Sequence, residues 1–186
     1  MSHDAILDAT YFMLEEIGFD KLSLEGVAAR AGVGKATIYR WWPNKSALAM
    51  EALLRAAEPM GSFPDSGSAR QDIELHISTL SRLLRGKAGR VVREMIALAQ
   101  FDEETMRIFN DNYLGPRRSA VVQALRRGVR QGEFKPDLNV ELVFDLLYAP
   151  LIQRLLTRQI DIDELQVSSQ LDLVLSGIAI AQTSSQ

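Results

Sequence analysis

The residues best suited to chemistry lie in one short stretch, AGVGKATIYRWWPNKSAL, which spans positions 31–48. Its charged side chains, Lys35, Arg40 and Lys45, are all basic, and no aspartate or glutamate occurs from Gly26 to Met50. Lysine and arginine neutralise phosphates, and a stretch without carboxylates does not repel them. Because the whole chain has a formal net charge of −3 at pH 7, this pattern predicts a local nucleic-acid contact rather than a general affinity for polyanions.

Other kinds of chemistry have little support in the sequence. The 186 residues include no cysteine, which excludes disulfides and cysteine–zinc sites and suits a reducing compartment. The two histidines, His3 and His76, are far apart in sequence, so we expect no histidine-rich metal site. Glu103 and Glu104 are typical of the first turn of a helix rather than of a catalytic pair. No nucleophile–base pattern, phosphate-binding loop or dinucleotide fingerprint occurs, and we expect neither an enzyme nor a bound cofactor.

The sequence also predicts a cytoplasmic protein without a membrane partner. Residues 1–10 lack the basic start and long apolar run of a signal peptide. The most apolar segment, residues 140–156, is a poor membrane span, because it is interrupted by Glu141, Asp145, Gln153 and Arg154.

Apolar residues recur at helical spacing over nearly the whole chain, which predicts an all-α fold. In the first part, Gly18 and Gly32 stand where left-handed C-terminal caps are expected. Ser23 and Asn44 are good N-caps for the helices that follow them, and Pro43 ends a very short helix. These signals predict helices over about residues 6–17, 23–31, 34–41 and 44–58.

A segment rich in proline, glycine and serine, residues 59–68, separates this part from a larger one. Beyond it, the spacing predicts an amphipathic helix around residues 73–84 that ends at Gly86. A later helix is expected to begin at Gly115–Pro116 and to end at Gly132. Further helices are predicted near residues 89–100, 103–113, 139–158 and 163–181.

The segment LEGVAARAGVGKATIYRWW is typical of two helices joined by a tight turn, and we assign a helix-turn-helix motif to residues 23–42. Ala28 is small where the two helices cross, and Gly32 can take the positive φ of the turn. Ile38 and one tryptophan are expected to be buried. The opposite face of the second helix then presents a set of short, aromatic and basic side chains to a DNA major groove about 12 Å wide: Lys35, Ala36, Thr37, Tyr39 and Arg40.

The run from Ile6 to Leu48 resembles the N-terminal domain of the TetR/AcrR family of transcriptional regulators. The shared pattern consists of Ala31-Gly32-Val33, Thr37-Ile38-Tyr39, Trp41-Trp42 and Lys45. It differs mildly at two positions, since Arg40 stands where an aromatic is common and Trp42 where phenylalanine is usual. The first difference could alter operator preference, and the second places a larger side chain in the same core.

The resemblance implies two contacts with the DNA backbone. Tyr39 is similar to the family tyrosine whose hydroxyl reaches a phosphate, although a solvent-facing tyrosine is the alternative. Lys45 adds its charge to the start of the fourth helix and suits a phosphate, or is merely solvated. Trp41 lies along the DNA backbone or covers the domain, and Trp42 is expected in the core.

Base recognition is expected from the start of the short helix. Lys35 can donate to guanine, and the methyl group of Thr37 can meet that of thymine. The alternative for either residue, as for Arg40, is a contact with the backbone alone. The full set of DNA-binding residues that we predict is Lys35, Ala36, Thr37, Tyr39, Arg40, Trp41 and Lys45.

We predict a DNA-binding domain over residues 1–48 and a helical effector-binding and dimerisation domain over residues 49–186. The last two predicted helices carry more apolar surface than one small core can cover. A four-helix interface with a second copy would cover it, and the family resemblance implies the same arrangement. The residues that we predict at this homodimer interface are Leu147, Leu151, Leu171, Leu175 and Ile178.

The resemblance also implies a cavity for a small, mostly apolar effector among the helices between about residues 69 and 156. Polar side chains in apolar surroundings are the candidate ligand contacts, with core or surface roles as the alternative for each: His76, Gln100, Tyr113 and Tyr148. Pro150 interrupts a predicted helix and is expected to kink it for ligand binding or for packing.

These features predict a homodimeric, sequence-specific transcriptional regulator, a repressor that leaves its palindromic operator when a small molecule binds. Two alternatives stay open at this point. One is an architectural DNA-binding protein without a ligand. The other is a small-molecule-binding or enzymatic helical protein with a vestigial helix-turn-helix.

Overall fold

The computed structural model describes residues 3–57, 63–158 and 164–180, and these residues confirm the predicted all-α fold. Within them, no helix is long and apolar enough to cross a bilayer. The helices, in chain order, are α1 His3–Ile17, α2 Leu24–Ala31, α3 Lys35–Trp41, α4 Lys45–Ala57, α5 Ala69–Arg85, α6 Lys87–Ala99, α7 Glu103–Phe109, α8 Gly115–Gln131, α9 Val140–Leu156 and α10 Glu164–Ile178.

The chain divides into two compact units, each built from two segments. The first unit comprises Met1–Gly61 and Gly86–Pro116, and the second comprises Ser62–Arg85 and Arg117–Gln186. Helices α6 and α7 therefore belong to the same compact unit as α1–α4, although they follow α5 in the chain. The predicted functional boundary after residue 48 stays a prediction, because compactness and function need not divide a chain at the same point.

In the first unit, α1 packs against α2, α4 and α6. Helix α6 also closes the end of α1, where Gly18 has a φ of +80°. The Arg90 guanidinium donates to the carbonyl oxygens of Leu14, at 2.8 Å, and of Glu15. The Glu94 carboxylate accepts a hydrogen bond of 2.9 Å from the backbone N–H of Phe19. Since the last carbonyls of a helix lack partners within it, Arg90 acts as the C-terminal cap of α1.

Helix α8 begins at Gly115 and ends before Gly132, as predicted, but a π-helical turn, Asn110–Leu114, joins it directly to α7. The N–H of Gly115 donates to the carbonyl of Asn110, five residues earlier. Pro116 has no N–H and its ring crowds the preceding turn, so it cannot continue the regular hydrogen-bond pattern. The wider turn accommodates the proline without ending the helical path, so α7 and α8 follow each other without a loop between them.

In the second unit, a buried carboxylate joins the start of α5 to α8. Asp72 is 1% exposed and pairs with Arg127, which also lies 3.0 Å from a carboxylate oxygen of Asp65. Burial alone would raise the pKa of Asp72, but hydrogen bonds from Ser66 and the charge of Arg127 hold it below its ordinary value. Pairing offsets part of the cost of burying this charge, and removing the partner alone would be strongly destabilising.

The structure corrects the choice of residues for a dimer interface. Four of the five predicted residues are buried in the core of the chain itself, with exposures of 0–3%, and Ile178 is partly buried. A side chain that already packs inside the monomer presents no surface to a second copy. The large apolar side chains that α9 and α10 leave exposed are instead Leu142, Leu146, Leu156, Leu165 and Leu173.

Candidate nucleic-acid interface

The first helix of the motif, α2, begins and ends as its sequence predicts. The hydroxyl of Ser23 accepts a hydrogen bond of 3.1 Å from the N–H of Gly26. Gly32 has a φ of 65°, so the predicted left-handed turn is confirmed. The N–H of Val33 donates to the carbonyl of Ala28 at 2.9 Å. This tight turn sets the direction of α3 relative to α2.

One face of α3 is buried against the rest of the motif, and the other face is exposed to solvent. Ile38 is fully buried, and the adjoining Trp42 is only 2% exposed, as predicted. The opposite face carries Tyr39 and Trp41, which are 52% and 55% exposed, together with the exposed Lys35, Ala36 and Arg40 and the half-buried Thr37. The structure thus brings six of the seven predicted DNA-binding residues together on one exposed seven-residue helix.

The charged side chains near this face have partners within the chain. The Lys35 ammonium is 3.5 Å from the Glu25 carboxylate, and both side chains are at least half exposed. Arg30 forms two hydrogen bonds with Glu16, at 2.6 and 3.2 Å, which lower the pKa of that carboxyl group. The guanidinium of Arg40 lies over the Trp41 ring, 5.6 Å from its centroid. Exposed pairs of this kind are weak and exchange readily for other partners.

Lys45, the seventh predicted residue, has a different environment. It is the first residue of α4, whose N-cap Asn44 accepts a hydrogen bond of 2.9 Å from Ala47. The ammonium group of Lys45 donates to the carbonyl of Phe19 at 3.2 Å and lies 4.4 Å from the centroid of the Phe19 ring. Lys45 therefore ties α4 to the loop between α1 and α2, a role that its sequence position did not reveal.

Two side chains, Glu51 and His3, hold Trp42 in place. Its indole N–H donates to the Glu51 carboxylate at 2.6 Å, and the same carboxylate pairs with His3 at 3.2 Å. The His3 ring stacks on the indole, with centroids 4.8 Å apart. Buried indoles usually find a hydrogen-bond acceptor, but the partners come from α1 and α4. Sequence spacing alone gave no signal for these contacts.

Family comparisons agree with this geometry along most of the chain. The model of bacterial regulatory proteins of the TetR family matches residues 6–52. The model of the tetracycline repressor-like C-terminal domain matches residues 63–174. The chain belongs to the TetR family. It is thus a DNA-binding transcriptional regulator of a non-enzymatic family.

Individual relatives of this TetR-family regulator span nearly its whole length. The HTH-type transcriptional regulator YdeS of Bacillus subtilis is 39% identical over 99% of this chain and 91% of its own. The crystal structure of the TetR-family regulator SCO0332 is 30% identical, covers 95% of this chain and 98% of its own, and has a TM-score of 0.79. FadR of B. subtilis, solved with stearoyl-CoA, is 23% identical, covers 95% of this chain and all of its own, and has a TM-score of 0.77.

The four predicted ligand contacts fall into two groups. In the second unit, His76 of α5 and Tyr148 of α9 are hydrogen-bonded at 2.7 Å, with Phe63 and Phe144 against their rings. Burial, with a smaller effect of Arg117, lowers the pKa of His76 from 6.5 to about 4. The imidazole is therefore neutral at pH 7. The pair lies between aromatic rings, and the Arg118 guanidinium lies 4.6 Å from the centroid of the Phe144 ring.

The other two predicted contacts lie in the first unit and differ in exposure. Tyr113 is 4% exposed and stacks on Phe109, with ring centroids 4.9 Å apart. Gln100 is exposed beside the end of α6. Neither residue thus belongs to the compact unit that contains the pair of His76 and Tyr148.

Proposed function

We propose that this protein is a homodimeric repressor that binds a palindromic operator through α3 and releases it when a small apolar molecule binds. The observation that carries the proposal is the exposed face of α3, together with the absence of any acidic residue from Gly26 to Met50. Lys35 and Thr37, near the N-terminus of α3, are assigned to base edges. Tyr39, Arg40 and Trp41 are assigned to the backbone and to the flanks of the groove.

A second copy of the chain supplies the second recognition helix. A seven-residue helix contacts only a few base pairs, and two half-sites one helical turn apart, about 34 Å, require two copies of α3. The exposed leucines of α9 and α10 support association through these helices. Leu142 and Leu146 lie one turn apart on α9, and Leu173 of α10 is 79% exposed. A Cβ atom added at Gly177 would meet nothing within 4 Å, so this part of α10 is open to close approach.

The effector is assigned to the second unit, around His76 and Tyr148. Their hydrogen bond supplies a polar point between aromatic rings, with the Arg118 guanidinium over the Phe144 ring. A few polar groups among aromatic ones can orient a mostly apolar ligand. Because FadR of B. subtilis was solved in complex with stearoyl-CoA, long-chain acyl thioesters are the first class to test. A ligand that prefers the state with unsuitable spacing of the two α3 helices weakens DNA binding, and DNA weakens ligand binding equally.

Footprinting of the purified protein on DNA that flanks its own gene tests the proposal. We expect protection of one palindrome, with half-sites about one helical turn apart, and loss of protection when acyl-CoA esters or another effector are added. Equal binding to all duplexes, with no compound from a broad metabolite set changing the affinity, would instead favour the architectural alternative.

A further inference from the structure

A groove in the first unit shares Trp41 with the surface assigned to DNA, and the proposed function assigns no role to the rest of its lining. It has a volume of about 560 Å³ and lies beside the C-terminal end of α3, α4 as far as Leu54, the end of α6, and α7 as far as Ile108. Sites for small organic ligands have volumes of roughly 300–1,000 Å³. The groove lies apart from the pair of His76 and Tyr148, since all of its lining residues belong to the first unit.

One wall of the groove is apolar and aromatic. Trp41 and Trp42 stand at one end of it, and Met50, Leu54 and Ile108 are among the aliphatic residues along it. Trp41 is 55% exposed, so its ring is accessible to a ligand. Indole faces carry a negative electrostatic potential and attract cations.

The charged side chains that line the groove are all acidic. They are Glu51, Asp102 and Glu104, and among the residues that the structure describes no lysine, arginine or histidine lines the groove. His3 pairs with Glu51 and Arg107 with Glu104 from outside the lining. A hydrogen bond from Thr105 lowers the pKa of Asp102, and hydrogen bonds from Arg107 lower the pKa of Glu104, so both are ionised at neutral pH. Each carboxylate keeps acceptor positions beyond these bonds. An anion would meet three carboxylates here, whereas a cation meets these carboxylates and the exposed ring of Trp41. Trp42 is buried beneath His3 and contributes apolar surface rather than a free ring face.

From this combination we propose that the groove of the first unit binds an amphiphilic organic cation, with its apolar body against Trp41, Leu54 and Ile108 and its charge near Glu104 and Glu51. This ligand is distinct from the effector assigned to the second unit. The binding step does not depend on the protein's having an operator. It can therefore be measured on the free protein, in the absence of DNA.

Intrinsic fluorescence is an unusually local reporter of this site, because the chain contains two tryptophans and both line the groove. Tetraphenylphosphonium and tetraphenylborate are matched probes that have the same size and shape but opposite charge. We expect tetraphenylphosphonium to change the tryptophan emission saturably, with the same dissociation constant by calorimetry. Tetraphenylborate should bind at least about tenfold more weakly, since it lacks the attraction to the carboxylates.

Two adjacent glutamates supply the control. Glu103 and Glu104 both lie in the exposed first turn of α7, but Glu104 alone of the two lines the groove. Glu104→Gln is expected to weaken tetraphenylphosphonium binding about three- to tenfold, whereas Glu103→Gln, with the same change in net charge, should leave it within about twofold. Trp41→Leu should also weaken binding, with Trp42 as the remaining reporter.

The proposal is overturned by any of three results: no saturable binding of tetraphenylphosphonium, equal affinity for tetraphenylborate, or equal effects of Glu103→Gln and Glu104→Gln. Thermal unfolding of each variant identifies a loss of binding that comes from unfolding. Glu104→Gln should melt within a few degrees of the wild type, because its carboxylate is exposed and its ion pair is weak. None of these results bears on operator binding, which the footprinting experiment tests separately.

Discussion

Helices α3 and α9 show two different ways in which a helix is held. Helix α3 has seven residues, of which Ile38 is buried, and its neighbours stabilise it through the turn at Gly32 and the locked indole of Trp42. Helix α9 has 17 residues and buries six of them, among them Leu147. Its own packing thus stabilises it. Substitutions on the exposed face of α3 should therefore change binding without unfolding the protein. On α9, in contrast, a substitution at a buried position should affect folding, whereas one at the neighbouring exposed position should affect association.

The largest expected effect tests that statement on α9, with Leu147→Asp and Leu146→Asp as a matched pair. Leu147 is 0% exposed and Leu146 is 50% exposed. Burying an unpaired carboxylate and losing a core leucine should cost Leu147→Asp about 4 kcal/mol or more of unfolding free energy. Leu146→Asp should remain folded but sediment as a monomer, since its charge lies in the surface that we assign to the partner.

Thermal unfolding and analytical ultracentrifugation at micromolar concentrations check both variants. A stable Leu147→Asp protein would contradict the assignment of this residue to the core. A wild type that is monomeric and still binds a palindrome tightly would contradict the proposed dimer. Either result would mean that α9 does not combine core packing on one face with partner contacts on the other.

The second unit allows a test based on pH. The unfolded chain has a histidine pKa of about 6.5, and burial lowers the pKa of His76 to about 4 in the folded protein. Between these two values the unfolded state binds the additional proton, so the free energy of unfolding falls as the pH falls from about 6.5 to 4. At about 1.4 kcal/mol for each pKa unit, the full loss is about 3 kcal/mol.

Urea denaturation at pH 7, 5.5 and 4.5 measures this loss. His76→Gln keeps a polar group beside Tyr148 but does not titrate, so its stability should depend less on pH in this range. The pH dependence that remains in the variant comes from the other titrating groups. Identical slopes for the two proteins would show that His76 is not buried as described, and would weaken its assignment as the centre of the effector site.

The same contrast explains how much could be predicted from the sequence. The elements of the motif could be predicted because their signals are local: Ser23 caps α2, Gly32 takes the positive φ, and Ile38 is spaced to be buried. The exposed residues of α3 could then be predicted, because burying Ile38 on one side of so short a helix leaves the other side in solvent. Helix α9 is apolar around most of its circumference. Its periodicity could not decide which leucines face its own core, and so the wrong ones were assigned to a partner.

Contacts between distant segments could not be predicted from the sequence for a related reason. Three such contacts join residues that no local sequence pattern relates to each other. They are Glu51 with Trp42, Arg90 with the end of α1, and Lys45 with Phe19. The π-helical turn before Gly115 was not predicted, because a proline at the first position of a helix indicates a new start whether or not the preceding helix runs directly into it. Each of these features depends on which elements are packed together, which a single sequence does not show.

On α3, substitutions should affect base discrimination with little loss of stability. Lys35→Ala and Thr37→Ala should reduce the preference for operator over scrambled DNA by about 1–3 kcal/mol for each well-made base contact. Their melting temperatures should stay close to that of the wild type, because the side chains are exposed or half-buried. Lys87→Ala, an exposed lysine at the start of α6, is the control for loss of one positive charge. An equal loss for Lys35→Ala and Lys87→Ala would show a general charge effect rather than base recognition by Lys35.

The smallest effect concerns Lys45, whose ammonium both contacts the Phe19 carbonyl and is assigned to a phosphate. Lys45→Met keeps the apolar stem and should cost about 1 kcal/mol of unfolding free energy, because the loop loses a charged donor. Each full phosphate contact contributes roughly one unit to the salt dependence of binding, or about two units in a dimer. We expect Lys45→Met to reduce the slope of the salt dependence by less than this, because the ammonium group already donates to the loop carbonyls. Binding isotherms over a salt series, with operator and scrambled duplexes, measure the slope, and denaturation measures the stability. If Lys45→Met lost the operator selectively while Lys35→Ala and Thr37→Ala kept their preference, the assignment of phosphate and base contacts on this surface would be reversed.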